Sequence, residues 1–90
     1  MPDNKRLKLG ASQDLQIFHN NDVNTIMSIN GQLFIKGDAS NLIGIQSKNG
    51  ENDALFYPDA QAELFYDGNK KFETSSTGTL TTGQSKVDVD

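Results

Sequence analysis

The chain has 90 residues, a hydrophobic fraction of 34%, no cysteine and a formal net charge of −4. This length allows one domain that buries only about two-thirds of its unfolded surface, and disulfides cannot add to its stability. Acidic and basic residues are interspersed, so we expect neither a nucleic acid nor an anionic membrane as partner, because both require a clustered basic surface. No apolar run approaches the roughly 20 residues of a transmembrane helix, and the N-terminus lacks a signal-peptide core, so neither membrane insertion nor a cleaved signal is expected.

Short apolar runs alternate with turn sequences along the chain. The runs predict strands over residues 7–9, 15–18, 25–29, 32–35, 42–45, 54–57, 63–66 and 71–74. Between them lie pairs that favour tight turns, including Asn30-Gly31, Asn49-Gly50, Pro58-Asp59 and Asp67-Gly68. Short strands at a spacing of about 8–12 residues are typical of all-β proteins. The sequence therefore predicts an all-β fold.

An apolar tripeptide occurs three times in these predicted strands: Leu33-Phe34-Ile35, Leu55-Phe56-Tyr57 and Leu64-Phe65-Tyr66. Because successive side chains of a strand point to opposite faces, each tripeptide places apolar groups on both faces. A chain of this size can hardly cover both faces of a sheet by itself. We therefore expect other copies of the same chain to provide the missing cover.

The sequence thus predicts an assembly core that is shared between copies. Its members are residues of the tripeptides and one later phenylalanine: Phe34, Ile35, Phe56, Leu64, Phe65, Tyr66 and Phe72. Two arrangements of the short strands fit. One is a homotrimer that builds a β-prism or wound β-helix, which the tripeptides favour, and the other is a single-chain sandwich or barrel. In the trimer, Phe65→Asp is expected to abolish assembly.

The composition changes near the end of the chain. Residues 1–73 form the predicted all-β module, whereas residues 74–90 are rich in Thr, Ser and Gly. Alternating threonines can form an exposed strand, while Ser and Gly favour a flexible segment. We expect residues 74–90 to be a connector or a terminal strand, with a last edge strand at Val87-Asp88-Val89-Asp90.

Two motifs resemble a repeat module of tail-fibre-like structural proteins of marine phages, especially cyanophages. The opening motif is Asp14-Leu15-Gln16-Ile17-Phe18-His19-Asn20, and the more specific closing motif runs from Glu63 to Gly78, with Asp67-Gly68, a lysine pair and Phe72-Glu73-Thr74 in order. The resemblance covers roughly residues 5–83. Family members usually have Asp-Gly after the histidine, where this chain has Asn20-Asn21-Asp22, and they usually contain many modules, where this chain has one.

The resemblance implies a non-enzymatic virion structural protein, all-β and trimeric, that belongs to a tail fibre, spike or decoration and contributes to host attachment. It implies a location in the virion, on a fibre, the tail or the capsid surface. The implied partners are further copies of the chain, other virion proteins and a host surface glycan. The alternatives are a carbohydrate-binding tip module and a polysaccharide depolymerase. Phe18 and Tyr57 are the candidates to stack on sugars in a tip module, although core packing is the favoured role for each.

Residues with catalytic or metal-binding chemistry are few. His19 is the only histidine, and three copies could bring it to a symmetry axis to hold a metal, but a strand-end histidine hydrogen-bonded to the backbone is the favoured explanation. The acidic residues cluster at turns, where they are solvated, and neither Asn20-Asn21-Asp22 nor Asn49-Gly50-Glu51-Asn52-Asp53 has the spacing of a calcium loop. The sequence therefore predicts no catalytic residue, no cofactor and no metal site.

Overall fold

The computed structural model describes residues 5–84. All helical or extended secondary structure within that range consists of β-strands, eight in number, and none is helical. The strands form two antiparallel sheets, one of three strands and one of five. This confirms the predicted all-β class. Contacts between Cα atoms divide the chain into two compact units between Ile35 and Lys36, with one sheet in each unit.

The first unit contains a three-stranded meander. Its strands are β1 (Arg6–Leu9), β2 (Leu15–Asn20) and β3 (Val23–Ser28), in the order β1-β2-β3. The turn from β2 to β3 has only two residues, and Asn21 occupies it at a φ of 56°. Asparagine tolerates this left-handed conformation better than most residues, so Asn20-Asn21-Asp22 does close a tight turn.

The second unit contains a five-stranded meander. Its strands are β4 (Ile43–Ile45), β5 (Ala54–Phe56), β6 (Ala62–Tyr66), β7 (Asn69–Ser75) and β8 (Gly78–Thr81), and each pairs with its neighbours in sequence. The turn between β6 and β7 is Asp67-Gly68, with φ of 51° and 79°. Two consecutive positive φ angles are those of the tight hairpin turn that the sequence predicts at Asp67-Gly68.

One predicted strand is absent from the structure. Residues 32–35 are not part of a strand, and Phe34 and Ile35 are 68% and 74% exposed. A strand exists only where its backbone groups pair with a neighbour, and local apolar composition does not supply that neighbour. The expectation that the first tripeptide lies in a strand is therefore wrong.

The predicted boundary at residue 74, between the all-β module and the segment rich in Thr, Ser and Gly, falls inside a strand. Strand β7 continues to Ser75, and Gly78–Thr81 returns as β8, the edge of the five-stranded sheet. Thr79 and Thr81 provide the β-branched side chains that favour this strand. The predicted last strand at residues 87–90 lies outside the described residues.

Little of the second unit is fully buried. Ala54 and Leu55 are its buried apolar residues, and no large side chain of residues 5–84 is completely enclosed. The Leu55 side chain lies over Gly44, its partner across β4 and β5, where an added Cβ would stand 3.1 Å from Leu55 Cδ2. The absence of a side chain at Gly44 makes room for this small core.

Candidate assembly surface

The register of the five-stranded sheet places its apolar side chains in a row. Ile45 lies opposite Ala54, Ala54 opposite Leu64, and Leu64 opposite Phe72. Residues directly opposite one another in antiparallel strands share a face of the sheet. Phe56 lies two positions from Ala54 and therefore shares this face too.

The complete face is defined by alternation along the strands. We call it the uncharged face, and its residues are Ile43, Ile45, Ala54, Phe56, Ala62, Leu64, Tyr66, Asn69, Phe72, Thr74, Thr79 and Thr81. Each of these side chains is neutral. The aliphatic and aromatic members concentrate on β4 to β7, and the threonines lie on β7 and β8.

Large apolar side chains of the uncharged face are in contact with solvent. Leu64, at the centre of the face, is 50% exposed, and Ile45, Phe56 and Tyr66 are exposed as well. Five strands about 4.8 Å apart and about five residues long cover roughly 400 Å² in projection. Soluble monomers rarely expose contiguous apolar patches larger than a few hundred Å². The uncharged face is therefore comparable in size with the largest apolar patch of a typical monomer, which is often functional.

The opposite face carries the charges, and we call it the charged face. Glu63 pairs across β6 and β7 with Glu73, and the Lys70 ammonium lies between the two carboxylates. Lys70 Nζ is 3.4 Å from Glu63 Oε2 and 3.1 Å from Glu73 Oε1. Glu63 is only 5% exposed and also accepts a hydrogen bond from Gln61 Nε2 at 3.0 Å. The two carboxylates thus share one cation, the Lys70 ammonium.

These contacts shift the protonation equilibria of the network. The hydrogen bond from Gln61, followed by the contact with Lys70, holds the pKa of Glu63 below its usual value against the opposing effect of burial. The hydrogen bond to Glu73 and the contact with Glu63 raise the pKa of Lys70. Both shifts favour the charged forms, so the network is an ion-pair network at neutral pH.

The structure brings together four of the seven residues of the predicted assembly core. Phe56, Leu64, Tyr66 and Phe72 lie on the uncharged face. Phe65 alternates to the charged face, where it lies opposite Lys70. The remaining two, Phe34 and Ile35, precede the second unit in the segment without strand structure.

Four further apolar residues of the face were not among the predicted assembly core. Ile43, Ile45 and Ala54 contribute its β4 and β5 part, and Ala62 lies at the start of β6. The alternating pattern Ile43-Gly44-Ile45 was the available signal, since alternation places both isoleucines on one face. Which face of the strand is left open depends on pairing, and a single run of residues does not contain that information.

A shallow depression lies beside the edge of the uncharged face. It has a volume of about 300 Å³ and is lined mainly by apolar groups, among them Ile43, Phe56 and Tyr57, together with Asn41. Asp38 shapes the adjoining turn, because its Oδ1 accepts hydrogen bonds from the N–H groups of Ser40 and Asn41. These bonds lower the pKa of Asp38.

The other aromatic candidate for sugar stacking is partly covered. The guanidinium carbon of Arg6 lies 3.7 Å from the centre of the Phe18 ring, so one face of that ring is occupied by a cation–π contact. Tyr57 therefore remains the better placed of the two aromatic residues.

His19 lies near the end of β2 and its Nδ1 donates a hydrogen bond to Asn24 Oδ1 at 2.8 Å across the hairpin. Within residues 5–84, no three side chains of the types His, Asp and Glu are grouped so that they could hold a metal ion. The same part of the chain has no helix with the length and hydropathy needed to cross a bilayer.

Comparison of the chain with protein-family models, with curated proteins and with solved structures gave no match.

Proposed function

We propose that this chain is a non-enzymatic structural subunit of a phage particle, part of a tail fibre, spike or decoration that contributes to host attachment. Its copies associate, as a homotrimer, through the uncharged face of the five-stranded sheet. The single observation that supports association most strongly is the row Ile45, Leu64 and Phe72 on a face without charges, in which Ile45 and Leu64 are exposed and Phe72 is half-buried. The phage assignment is supported by the two sequence motifs.

The proposed mechanism is mechanical. Copies that share a core across their uncharged faces complete their hydrophobic burial only on assembly, so association further stabilises the folded chain. Exposed apolar surface of this extent is costly in a monomer, at about 25 cal/mol for each Å² left in water. The resulting assembly resists dissociation because separating the copies exposes the uncharged face of each copy to water.

Two matched substitutions on neighbouring parts of the sheet test the assembly. Leu64→Lys places a charge on the uncharged face, and Leu80→Lys places the same charge on the opposite face, opposite Glu73. Leu64 and Leu80 are 50% and 58% exposed, so the two variants change similar amounts of exposed apolar surface.

The measurement is the native mass by light scattering behind a sizing column. We expect the parent chain and Leu80→Lys to have the mass of three chains, and Leu64→Lys to have the mass of one. A monomeric parent chain, or an unchanged mass for Leu64→Lys, contradicts assembly through this face. The circular dichroism spectrum of each variant checks that it is folded.

The phage assignment has its own test. Peptides of this chain should be found by mass spectrometry in gradient-purified particles of the virus whose genome encodes it. An antiserum raised against the chain should label the fibre, tail or capsid surface in electron micrographs. Their absence from pure particles would contradict a virion role and leave the assembly result standing.

The depression beside Tyr57 favours a second function, recognition of a host surface glycan. The depression places the aromatic ring of Tyr57 near the side-chain amide of Asn41. This combination suits a sugar, because the face of a sugar ring is apolar and can stack on an aromatic ring, whereas the sugar hydroxyls need hydrogen-bond partners. A glycan array with the parent chain and with Tyr57→Ala tests it. Binding that Tyr57→Ala removes supports the second function, and an array without binding contradicts it.

A further inference from the structure

The chain contains two Asn-Gly pairs that are matched in their surroundings. Asn30-Gly31 follows β3, and Asn49-Gly50 lies between β4 and β5. All four residues are exposed. Gly31 and Gly50 have φ of 90° and 83°, and a Cβ at either would meet no atom within 4 Å apart from its chain neighbours. Neither pair is therefore shielded by neighbouring side chains.

An Asn-Gly pair can lose ammonia without an enzyme. The glycine N–H gives its proton to hydroxide, and the nitrogen attacks Cγ of the asparagine, because glycine has no Cβ to obstruct the approach. The bond between Cγ and Nδ2 then breaks, and ammonia leaves with a proton taken from water. Water opens the resulting cyclic imide at either carbonyl to give aspartate or isoaspartate. The net reaction consumes one water and releases one ammonia, so it needs no cofactor or oxidant.

A hydrogen bond occupies the attacking group of the second pair. The Gly50 N–H donates to Gln46 Oε1 at 2.9 Å. The Gln46 side chain is itself held in place, since its Nε2 donates to Asn52 Oδ1 at 2.8 Å. An N–H that donates to a fixed acceptor must break that bond before its nitrogen can attack. The Gln46 side chain therefore opposes ring closure at Asn49.

The turn that contains the second pair is closed by two further contacts. Lys48 and Glu51 form a β-bridge on either side of the pair. The Glu51 N–H donates to the Lys48 carbonyl at 3.0 Å, and Lys48 Nζ lies 3.6 Å from Glu51 Oε2. These contacts hold the turn closed, so the Gly50 N–H stays beside its acceptor.

The attacking group of the first pair has no such bond. The Ile29 N–H donates to the Asp14 carbonyl at 2.7 Å, and Ser28 Oγ donates to the Gly31 carbonyl at 3.0 Å. These bonds use the groups on either side of the Gly31 N–H. Among residues 5–84, the Gly31 N–H itself donates to no acceptor. The nitrogen that must attack Asn30 is therefore unopposed.

We propose that Asn30 is a site of spontaneous deamidation and that Asn49, with the same following residue, is protected by the Gln46 side chain. Deamidation of Asn30 adds one negative charge to a formal net charge of −4. Where isoaspartate forms, the main chain gains one methylene group beyond the end of β3. Asn30 belongs to neither sheet, so this inference is independent of the assembly proposed for the uncharged face.

Peptide mapping of the parent chain tests the difference between the two sites. The chain is incubated in mildly alkaline buffer and digested at mildly acidic pH, so that digestion adds no product. Tandem mass spectrometry assigns the mass added by deamidation to Asn30 or Asn49. The same incubation in denaturant gives the rate of each pair without structure, and dividing by it removes the effect of different sequence neighbours.

We expect Asn30 to react in the folded chain at nearly its rate in denaturant. Asn49 should react about two- to tenfold more slowly than in denaturant, the net effect of one hydrogen bond. Gln46→Ala removes the acceptor and should raise the rate at Asn49 to its value in denaturant, with no change at Asn30.

Several outcomes would overturn the proposal. They are equal protection at the two sites, stronger protection at Asn30, and an unchanged rate at Asn49 in a folded Gln46→Ala. If Gln46→Ala does not fold, the two rates of the parent chain decide the question.

Isoelectric focusing provides an independent readout. The incubated parent chain should acquire a more acidic species, because an amide has become a carboxylate. Asn30→Gln keeps an amide but does not form the same ring readily, so it should lose most of this species, whereas Asn49→Gln should keep it. An acidic species of undiminished amount in Asn30→Gln would show that the charge arises elsewhere and would overturn the assignment.

Discussion

Leu64 and Phe72 lie directly opposite each other, and immediately beyond them the register shifts so that Phe65 lies opposite Lys70 instead of Lys71. This β-bulge decides where a charge goes. In a regular strand, Lys70 would alternate onto the same face as Phe72. The extra residue brings Lys70 to the opposite face, where it contacts Glu63 and Glu73. The bulge therefore keeps the uncharged face free of a lysine.

Neighbouring residues of β6 should respond differently to truncation. We expect Leu64→Ala to lower the native mass at micromolar concentration with little change in the stability of the dissociated chain, because Leu64 faces solvent there. Phe65→Ala should cost about 1–2 kcal/mol of unfolding free energy, less than a fully buried phenylalanine, and retain the parent mass. Sedimentation and urea denaturation in the Leu64→Lys background measure the two effects.

The test of assembly therefore moves from Phe65, which the sequence suggested, to Leu64. Loss of assembly in Phe65→Ala with the parent stability would contradict this assignment of the two faces.

The buried carboxylate of Glu63 should make stability depend on acidic pH. Its pKa in the folded chain lies below the usual value of a glutamate, so its stabilising effect is complete above that usual value and is lost as pH falls through the lower folded pKa. Denaturation at fixed protein concentration between pH 7 and pH 3 measures the loss. Glu63→Gln should reduce the pH dependence.

Asp38 has a pKa shift of the same sign, so Asp38→Asn should remove a separate part of the same pH dependence. If Glu63→Gln retains the full pH dependence of the parent chain, the ion-pair network does not contribute to folding in the expected way.

Two glycines with similar backbone angles should differ in how well they tolerate alanine. Gly10 and Gly31 have φ of 96° and 90°, and a Cβ at Gly31 would meet nothing, whereas a Cβ at Gly10 would collide with the Asp14 carboxylate. We expect Gly31→Ala to cost about 1–2 kcal/mol from the left-handed backbone alone. Gly10→Ala should cost a further 1–3 kcal/mol, roughly the penalty of overpacking.

Thermal or urea denaturation of both variants measures this difference. Equal losses would show that the Asp14 side chain moves aside without cost.

Removing Arg6 should destabilise the first unit. Arg6→Ala loses the cation–π contact with Phe18 and leaves Gln16 Oε1 without the donor it has in the structure. Because Arg6 is exposed while Gln16 is buried, we expect a loss of about 1–2 kcal/mol. Lys8→Ala, on the same strand and face, should stay within about 0.5 kcal/mol. Chemical denaturation compares the two, and equal effects would contradict the role of this contact.

The sequence by itself determined the all-β class and most strand positions, because alternation, β-branched residues and turn pairs are local signals. Asp67-Gly68 is one example, since its turn needs only residues that accept a positive φ. The sequence could not show that residues 32–35 form no strand, or which of the two faces, that of Leu64 or that of Phe65, is left open. Pairing, register and the bulge at Lys71 decided those points, because each depends on a neighbouring strand rather than on the run of residues itself.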